Sequence, residues 1–248
     1  MNSVLVIIPA RYASTRFPGK PLAMIHGKTM IQRVVERCSA AVGDSAVWVA
    51  TDDDRILNHV RDLGAQGVMT KSTHPSGTDR VAEALENINA KPDLVINVQG
   101  DEPFVKSEQI QQLISLFKDP STQIGTLIKK AEPSEIHQPN KVKVVTNLKG
   151  EALYFSRQAI PYLRGVDADN WHRHGSFYKH LGMYAFRAEI LRELVLLPPS
   201  KLEMAESLEQ LRWLEGGFRI KTAITEFETP AVDTPEDLSV ILQQSNLL

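Results

Sequence analysis

Cysteine is nearly missing from this chain of 248 residues. Cys38 stands alone, so no intrachain disulfide can form and a cysteine-based zinc site is excluded. A reducing compartment suits such a chain. Net charge is also scarce: 28 Lys and Arg against 30 Asp and Glu leave −2. A general binder of nucleic acid or of a membrane surface carries a basic excess, so neither partner is expected. Long apolar runs are lacking too. The start, Val4–Ile8, is too short for a bilayer span and has no basic region before it, as a secretory leader would. A cytoplasmic location is the default expectation. Acidic residues are absent from the first 35 positions, which hold Arg11, Arg16, Lys20, Lys28 and Arg33. That segment carries +5 and the rest −7. A local basic segment in a balanced chain suits a small, highly charged anion better than a long polyanion, with Lys28 and Arg33 read as solvated surface charge.

With 42% hydrophobic residues the chain can bury a real core. Short apolar runs without alternation recur at Val4–Ile8, Ala46–Ala50 and Leu94–Val98. Between them lies helical spacing at Met30–Ala41, Arg55–Leu63 and Arg80–Ile88. This is an α/β pattern with a parallel sheet covered on both faces. Ligands of such sheets bind beyond the carboxyl ends of the strands, which singles out 9–20, 51–54 and 99–103. After about residue 125 the rhythm changes. Strand-like runs at Gly125–Ile128, Val142–Thr146, Ala152–Phe155 and Leu181–Phe186 predict a mixed, β-rich extension. Helical spacing returns through Leu202, Ala205, Leu208, Leu211 and Leu214, and again from Pro235. The polar stretch Arg164–Ser176 is the best candidate for a mobile loop. No repeat or linker appears, so a single domain is expected, with halves of about 1–125 and 126–248 sharing one core.

Segment Pro9–Leu22 follows the first strand. Its small residues let a backbone approach a ligand, and Arg11, Arg16 and Lys20 could neutralise a triphosphate. It is not a Walker A loop, because Ser14 stands at the leading glycine position and Pro21 where Ser or Thr would meet Mg²⁺. An ordinary polar turn remains equally open on these residues alone. Segment Asn97–Pro103 places Asp101 at a strand's carboxyl end, where a hard oxygen ligand suits Mg²⁺, while Glu102 could equally face outward. Mg²⁺ needs more than one carboxylate, and Asp233, just before a helix start at Thr234–Pro235, offers a second. Ser76, Gly77 and Arg80 suit recognition of a flat base, although Thr78 could merely begin a helix. Arg157, Lys179, His180 and Tyr184 could bind a carboxylated, hydroxylated substrate, Arg157 by bidentate pairing. Each singly fits a structural role as well.

Taken together, Ile8–Leu22, Ser76–Arg80, Asn97–Pro103, Ala152–Arg157, His180–Phe186, Ser207–Arg212 and Val232–Leu238 closely resemble the 3-deoxy-manno-octulosonate cytidylyltransferase (CMP-Kdo synthetase) family, in order and over nearly the full chain. The resemblance implies a Rossmann-like nucleotidyltransferase fold of the nucleotide-diphospho-sugar transferase type, with a mixed, mainly parallel central sheet. It also implies a homodimer and Mg²⁺-dependent transfer of CMP from CTP to 3-deoxy-D-manno-octulosonate (Kdo), a step of lipopolysaccharide biosynthesis. Arg11, Lys20, Asp101 and Asp233 match the catalytic group, the two acids being the metal ligands. Ala10, Arg11, Ser14, Arg16, Lys20, Ser76, Gly77, Arg80, Gln99 and Asp101 match nucleotide contacts. Gln99, Arg157, His180, Tyr184, Glu209 and Gln210 match the sugar pocket. Phe17 departs from the usual Leu, a hydrophobic swap. An 8-amino Kdo analogue or a sialic acid are alternative substrates, the latter disfavoured by the first loop. A noncatalytic nucleotide sensor or a domain binding a finished nucleotide sugar are alternatives of another class.

Overall fold

The computed structural model describes residues 3–14, 16–228, 230 and 232–243. Thr15, inside the expected phosphate segment, lies outside them. In chain order come β1 (Val4–Ala10), β2 (Met24–Ile25), β3 (Lys28–Thr29), α1 (Met30–Val42), β4 (Val47–Thr51), α2 (Asp54–Asp62), β5 (Gln66–Met69), α3 (Gly77–Ile88) and β6 (Leu94–Asn97). They are followed by α4 (Ser107–Leu116), β7 (Ile124–Lys130), β8 (Lys143–Thr146), β9 (Ala152–Ser156), α5 (Trp171–His174) and β10 (Tyr178–Arg187). The chain ends with α6 (Ala188–Leu194), α7 (Lys201–Glu206), α8 (Gln210–Glu215), β11 (Ile220–Ile224) and α9 (Pro235–Leu242).

Two compact units form, one from 1–111, 187–195 and 229–248, the other from 112–186 and 196–228. Against the expected division near 125, the chain leaves the first unit within α4 and returns to it twice. In the first unit the strands run in the order β6-β1-β4-β5, all parallel. Val6, Ile7 and Ile8 of β1 and Leu94, Val95 and Ile96 of β6 are wholly buried, as expected of strands covered on both faces. Helices α1, α2 and α3 are the crossovers, burying Ile31 and Val34, Ile56 and Val60, and Val81 and Leu85. Each starts at a side-chain cap: Thr29, Asp53 and Ser76 accept the N–H of Gln32, Arg55 and Asp79. The direction of winding reverses between β1 and β6, so a crevice opens beyond their carboxyl ends.

The second unit is mixed. Its strands run β11-β7-β10-β8-β9, with β11 and β7 parallel and the other pairs antiparallel. Phe155, Phe186 and Trp213 fill its core.

Four expectations need correction. The leucine spacing from Leu202 to Leu214 is not one helix, because Ser207 turns left-handed (φ 51°) and separates α7 from α8. Arg164–Ser176 is not a plain loop. It contains α5, and Trp171 is 5% exposed in an apolar cluster with Ala131, Ile136 and Phe177. Arg33 is not a solvated charge: it is buried and its guanidinium donates to the carbonyls of Ile25 (2.7 Å) and His26 (3.1 Å), fixing the β2–β3 hairpin. Helix α3 starts at Gly77, one residue before Thr78. Lys28 does remain at the surface, paired with Glu36.

Candidate active site

At the crevice of the first unit lies a cavity of about 290 Å³. Its wall includes the chain after β1 (Pro9, Ala10, Arg11, Ser14, Arg16, Lys20) and the start of α3 with its preceding loop (His74, Pro75, Ser76, Gly77, Arg80). Gln99, Gly100 and Asp101 after β6 and Asp233 before α9 complete it. Every residue assigned to the nucleotide or the metal from sequence is therefore gathered at one place.

The local sequence explains the convergence. A side chain at Gly100 would place its Cβ 2.9 Å from the Pro9 carbonyl oxygen, so only glycine lets the ends of β1 and β6 approach this closely. The Val232 N–H donates to the Asp101 carbonyl (3.0 Å), which ties the loop before α9 to the loop after β6. Beneath them Ile25, Met30, Phe104, Val232 and Ile241 form a buried apolar cluster, with Phe17, Ala23 and Leu238 packed on it. The departure at Phe17 thus keeps a hydrophobic anchor under the phosphate segment. Thr234, rather than Asp233, caps α9, and its hydroxyl and the Asp237 carboxylate form a reciprocal capping box. Asp237 also accepts the Asp233 N–H at 2.9 Å, which leaves the Asp233 side chain for the cavity.

The Lys20 ammonium, 13% exposed, lies 2.7 Å from Asp101 Oδ2 and 3.4 Å from Asp233 Oδ1. A single cation thus bridges the two carboxylates, and the Arg16 guanidinium reaches Asp233 at 3.4 Å. Paired carboxylates that already converge on one positive charge are hard oxygen donors of the kind Mg²⁺ takes alongside substrate phosphates, so the residues fit that ion. Among the described residues no group of three or more His, Cys, Asp or Glu converges as a self-sufficient metal site. Glu102 does not behave as a free surface acid. Burial, with the Asp101 charge adding to it, pushes its carboxyl up to about 8.

Ser76 is occupied as the α3 cap, exchanging hydrogen bonds with Asp79. Arg80 is buried, and its guanidinium donates to the Thr70 hydroxyl (2.6 Å) and to Asp52 (3.1 Å). Sequence reading missed His74, which lines the cavity and pairs with Glu83 on α3. Its position in the loop before a capping serine was the available signal.

Of the expected sugar residues, Gln99 belongs to the first unit, where it donates to Asn97 at 3.2 Å. The other five belong to the second. His180 and Tyr184 flank a bulge in β10, with ring centroids 5.2 Å apart, and Tyr184 meets Trp213 edge-on at 4.9 Å. The Thr126 hydroxyl donates to the Met183 carbonyl (2.8 Å) and lies 3.0 Å from His180 Nε2. Burial lowers the His180 imidazole to about 3, so it is neutral at ordinary pH. The Tyr184 hydroxyl is buried without a partner among the described residues, and burial followed by the Glu209 charge raises its pKa well above the usual phenol value. Gln210 is buried at the start of α8, beside Glu209. Arg157 donates to the carbonyls of Glu206 (2.6 Å), Pro139 (3.2 Å) and Ser207 (3.2 Å), so three of its five N–H groups fix backbone among the described residues.

A parallel α/β unit whose switch-point crevice gathers phosphate-loop cations and paired carboxylates has the make-up of a nucleotidyltransferase. The cytidylyltransferase family profile matches residues 5–221. The chain is 53% identical over 247 residues to the 3-deoxy-manno-octulosonate cytidylyltransferase of Parabacteroides distasonis, covering 98% of both chains. It is 47% identical over 242 residues to the 8-amino-3,8-dideoxy-manno-octulosonate cytidylyltransferase of Shewanella piezotolerans, covering 96% of both. Its structure resembles that of a CMP:2-keto-3-deoxy-manno-octonic acid synthetase complexed with CTP, with a TM-score of 0.90, 41% identity and 97% of each chain covered. The chain belongs to the cytidylyltransferases, and within them to the 3-deoxy-manno-octulosonate cytidylyltransferase family.

Proposed function

We infer that the protein transfers CMP from CTP to the anomeric hydroxyl of Kdo, giving CMP-Kdo for lipopolysaccharide biosynthesis and pyrophosphate. The observation that carries this reading is the meeting of Lys20, Asp101 and Asp233 at the crevice, in a chain about half identical to enzymes named for that reaction. The anomeric oxygen attacks the α-phosphorus in line, the bond to the β-phosphate oxygen breaks, and the sugar hydroxyl proton passes to solvent. Such a transfer needs positioning and charge neutralisation rather than a covalent enzyme intermediate. Arg11, Arg16 and Lys20 neutralise the triphosphate, and Arg11 and Lys20 take up the charge growing on departing pyrophosphate. Ala10, Ser14, Ser76, Gly77, Arg80 and Gln99 seat the nucleotide. Asp101 and Asp233 would hold Mg²⁺, which supplies charge screening of the phosphate oxygens. Gln99, Arg157, His180, Tyr184, Glu209 and Gln210 bind the acidic sugar. Neutral His180 acts as a hydrogen-bonding group, not as a cation.

A homodimer in the cytoplasm completes the reading. Buried, unpaired Cys38 fits a reducing compartment, and no helix among the described residues is long and apolar enough to cross a membrane. A second substrate, the 8-amino analogue, is favoured by the relative that bears its name. Pyrophosphate release, measured with CTP or UTP and with Kdo, 8-amino Kdo, neuraminic acid or a hexose phosphate, with and without Mg²⁺, tests the reaction, and light scattering on a sizing column tests the dimer. We expect release with CTP, Kdo and Mg²⁺; activity confined to UTP or to hexose phosphates would overturn it. Asp101→Asn should lower turnover at saturating Mg²⁺ by about a hundredfold, the scale of one lost electrostatic contact to a transition state.

A further inference from the structure

Among its described residues the segment between β1 and Lys20 has no helix or strand, so something must hold its shape. Much of that task falls to Tyr12. Its carbonyl accepts the N–H of Ser14 and that of Gly19, both at 2.9 Å, so one oxygen pins both ends of the loop between them. Its ring lies against Gly19, where an added Cβ would come within 3.1 Å of the phenol ring and hydroxyl, and where φ is +72°. The positive φ favours glycine there, and a larger residue would also press on the Tyr12 ring. Over the face of the same ring lies the Arg55 guanidinium, 3.3 Å from the centroid.

Arg55 is itself anchored. Its Nε and Nη2 donate to the two carboxylate oxygens of Asp53 at 2.9 and 2.7 Å, a two-pronged pairing. Asp53 in turn caps α2 by accepting the Arg55 backbone N–H at 2.9 Å. The Arg55 pairing holds the Asp53 carboxyl below its usual range. A continuous path therefore runs from the rigid start of α2 through Asp53, Arg55 and the Tyr12 ring to the backbone that presents Arg11, Ser14 and Lys20. Neither Asp53 nor Arg55 is part of the cavity wall.

We propose that Arg55, stacked on Tyr12 and braced by Asp53, is a positioning residue that presets the phosphate segment for the triphosphate. It rests on the nucleotide-binding reading above but concerns residues outside the cavity. Its energetic signature follows from preorganisation: a loop already in its binding shape loses less freedom when the ligand arrives. The Arg55 side chain is 60% exposed, so its removal leaves the core untouched.

Titration calorimetry of Mg²⁺-saturated protein with inorganic tripolyphosphate and with CTP tests the clamp, while pyrophosphate release by the wild type independently tests the reaction. Arg55→Ala should weaken both ligands about three- to fivefold, as expected for loss of an exposed cation–π contact. It should raise KM for CTP in step, leaving kcat, KM for Kdo and Tm unmoved. Arg55→Lys keeps the charge but loses the plane and the two-pronged hold on Asp53, and should behave like Arg55→Ala. In a Tyr12→Leu background, Arg55→Ala should add no further loss, since the path is already cut. Wild-type affinity in Arg55→Ala, recovery by Arg55→Lys, or multiplying losses in the double variant would each overturn the clamp. If Tyr12→Leu fails to fold, the two Arg55 variants decide. Absence of pyrophosphate release by the wild type would count against the reaction, and an intact binding ratio would leave the clamp standing.

Discussion

His180 shows how one side chain can be polar, only partly exposed and neutral at once. Its folded pKa of about 3 lies below the ordinary 6.5, so between those values the unfolded chain binds more protons than the native one. The stability this group contributes is complete above pH 6.5 and is lost as the pH falls toward 3. Replacing His180 with Gln removes the titration and should flatten this part of the acid limb of Tm against pH. A curve as steep as the wild type's would show that the imidazole is not kept neutral. For catalysis, no protonation of His180 should appear in the pH profile of KM for the sugar. Arg33 teaches the opposite lesson about charge. In sequence it looked like a solvated cation, whereas its three guanidinium hydrogen bonds to backbone carbonyls place it among the hairpin's structural supports. Side-chain type alone cannot distinguish these roles, because carbonyls freed by a tight turn are invisible in a residue pattern.

At the level of elements, the cap of α9 also fixes the backbone of Asp233. Its capping box uses Thr234 and Asp237, and the same Asp237 carboxylate accepts the Asp233 N–H. Thr234→Ala should cost about 1 kcal/mol of stability, the usual worth of a cap. It should also raise the Mg²⁺ concentration needed for half-maximal activity. A lower Tm with unchanged Mg²⁺ dependence would uncouple the two. The strands β1, β4 and β6 and the helices α1 to α3 were legible in sequence because continuous apolar runs and 3.6-residue spacing are strong signals. β5 was not: it is an edge strand of four residues, Gln66–Met69, none of them fully buried, so it lacks the apolar run. Ser207 was equally hidden, since the leucine spacing runs straight through its left-handed turn. That Lys20, Asp101 and Asp233 come together could be anticipated, because strand ends and a helix start mark the crevice side of an α/β sheet. His74 and Arg55 were not assigned, since pairing with Glu83 and stacking on Tyr12 are made by the fold.

For the molecule as a whole, the first unit is assembled from three separate stretches of chain. Nucleotide binding should therefore be felt in segments far apart in sequence. Hydrogen exchange followed by mass spectrometry should show slowed exchange with CTP and Mg²⁺ both at residues 11–23 and at 232–242. Asp101→Asn should reduce protection at both together. Slowing confined to the first segment would mean that Asp233 does not join the ligand.

The tie between the early lysine and the late aspartate also sets a schedule. Asp233 follows Lys20 by 213 residues. At about 5–20 residues per second on the ribosome, roughly ten to forty seconds separate their synthesis. During that interval the nascent chain can have its cationic loop and its first carboxylate but never the second. With the role proposed for Asp233, a chain halted before residue 233 lacks the second carboxylate and should release no pyrophosphate from CTP.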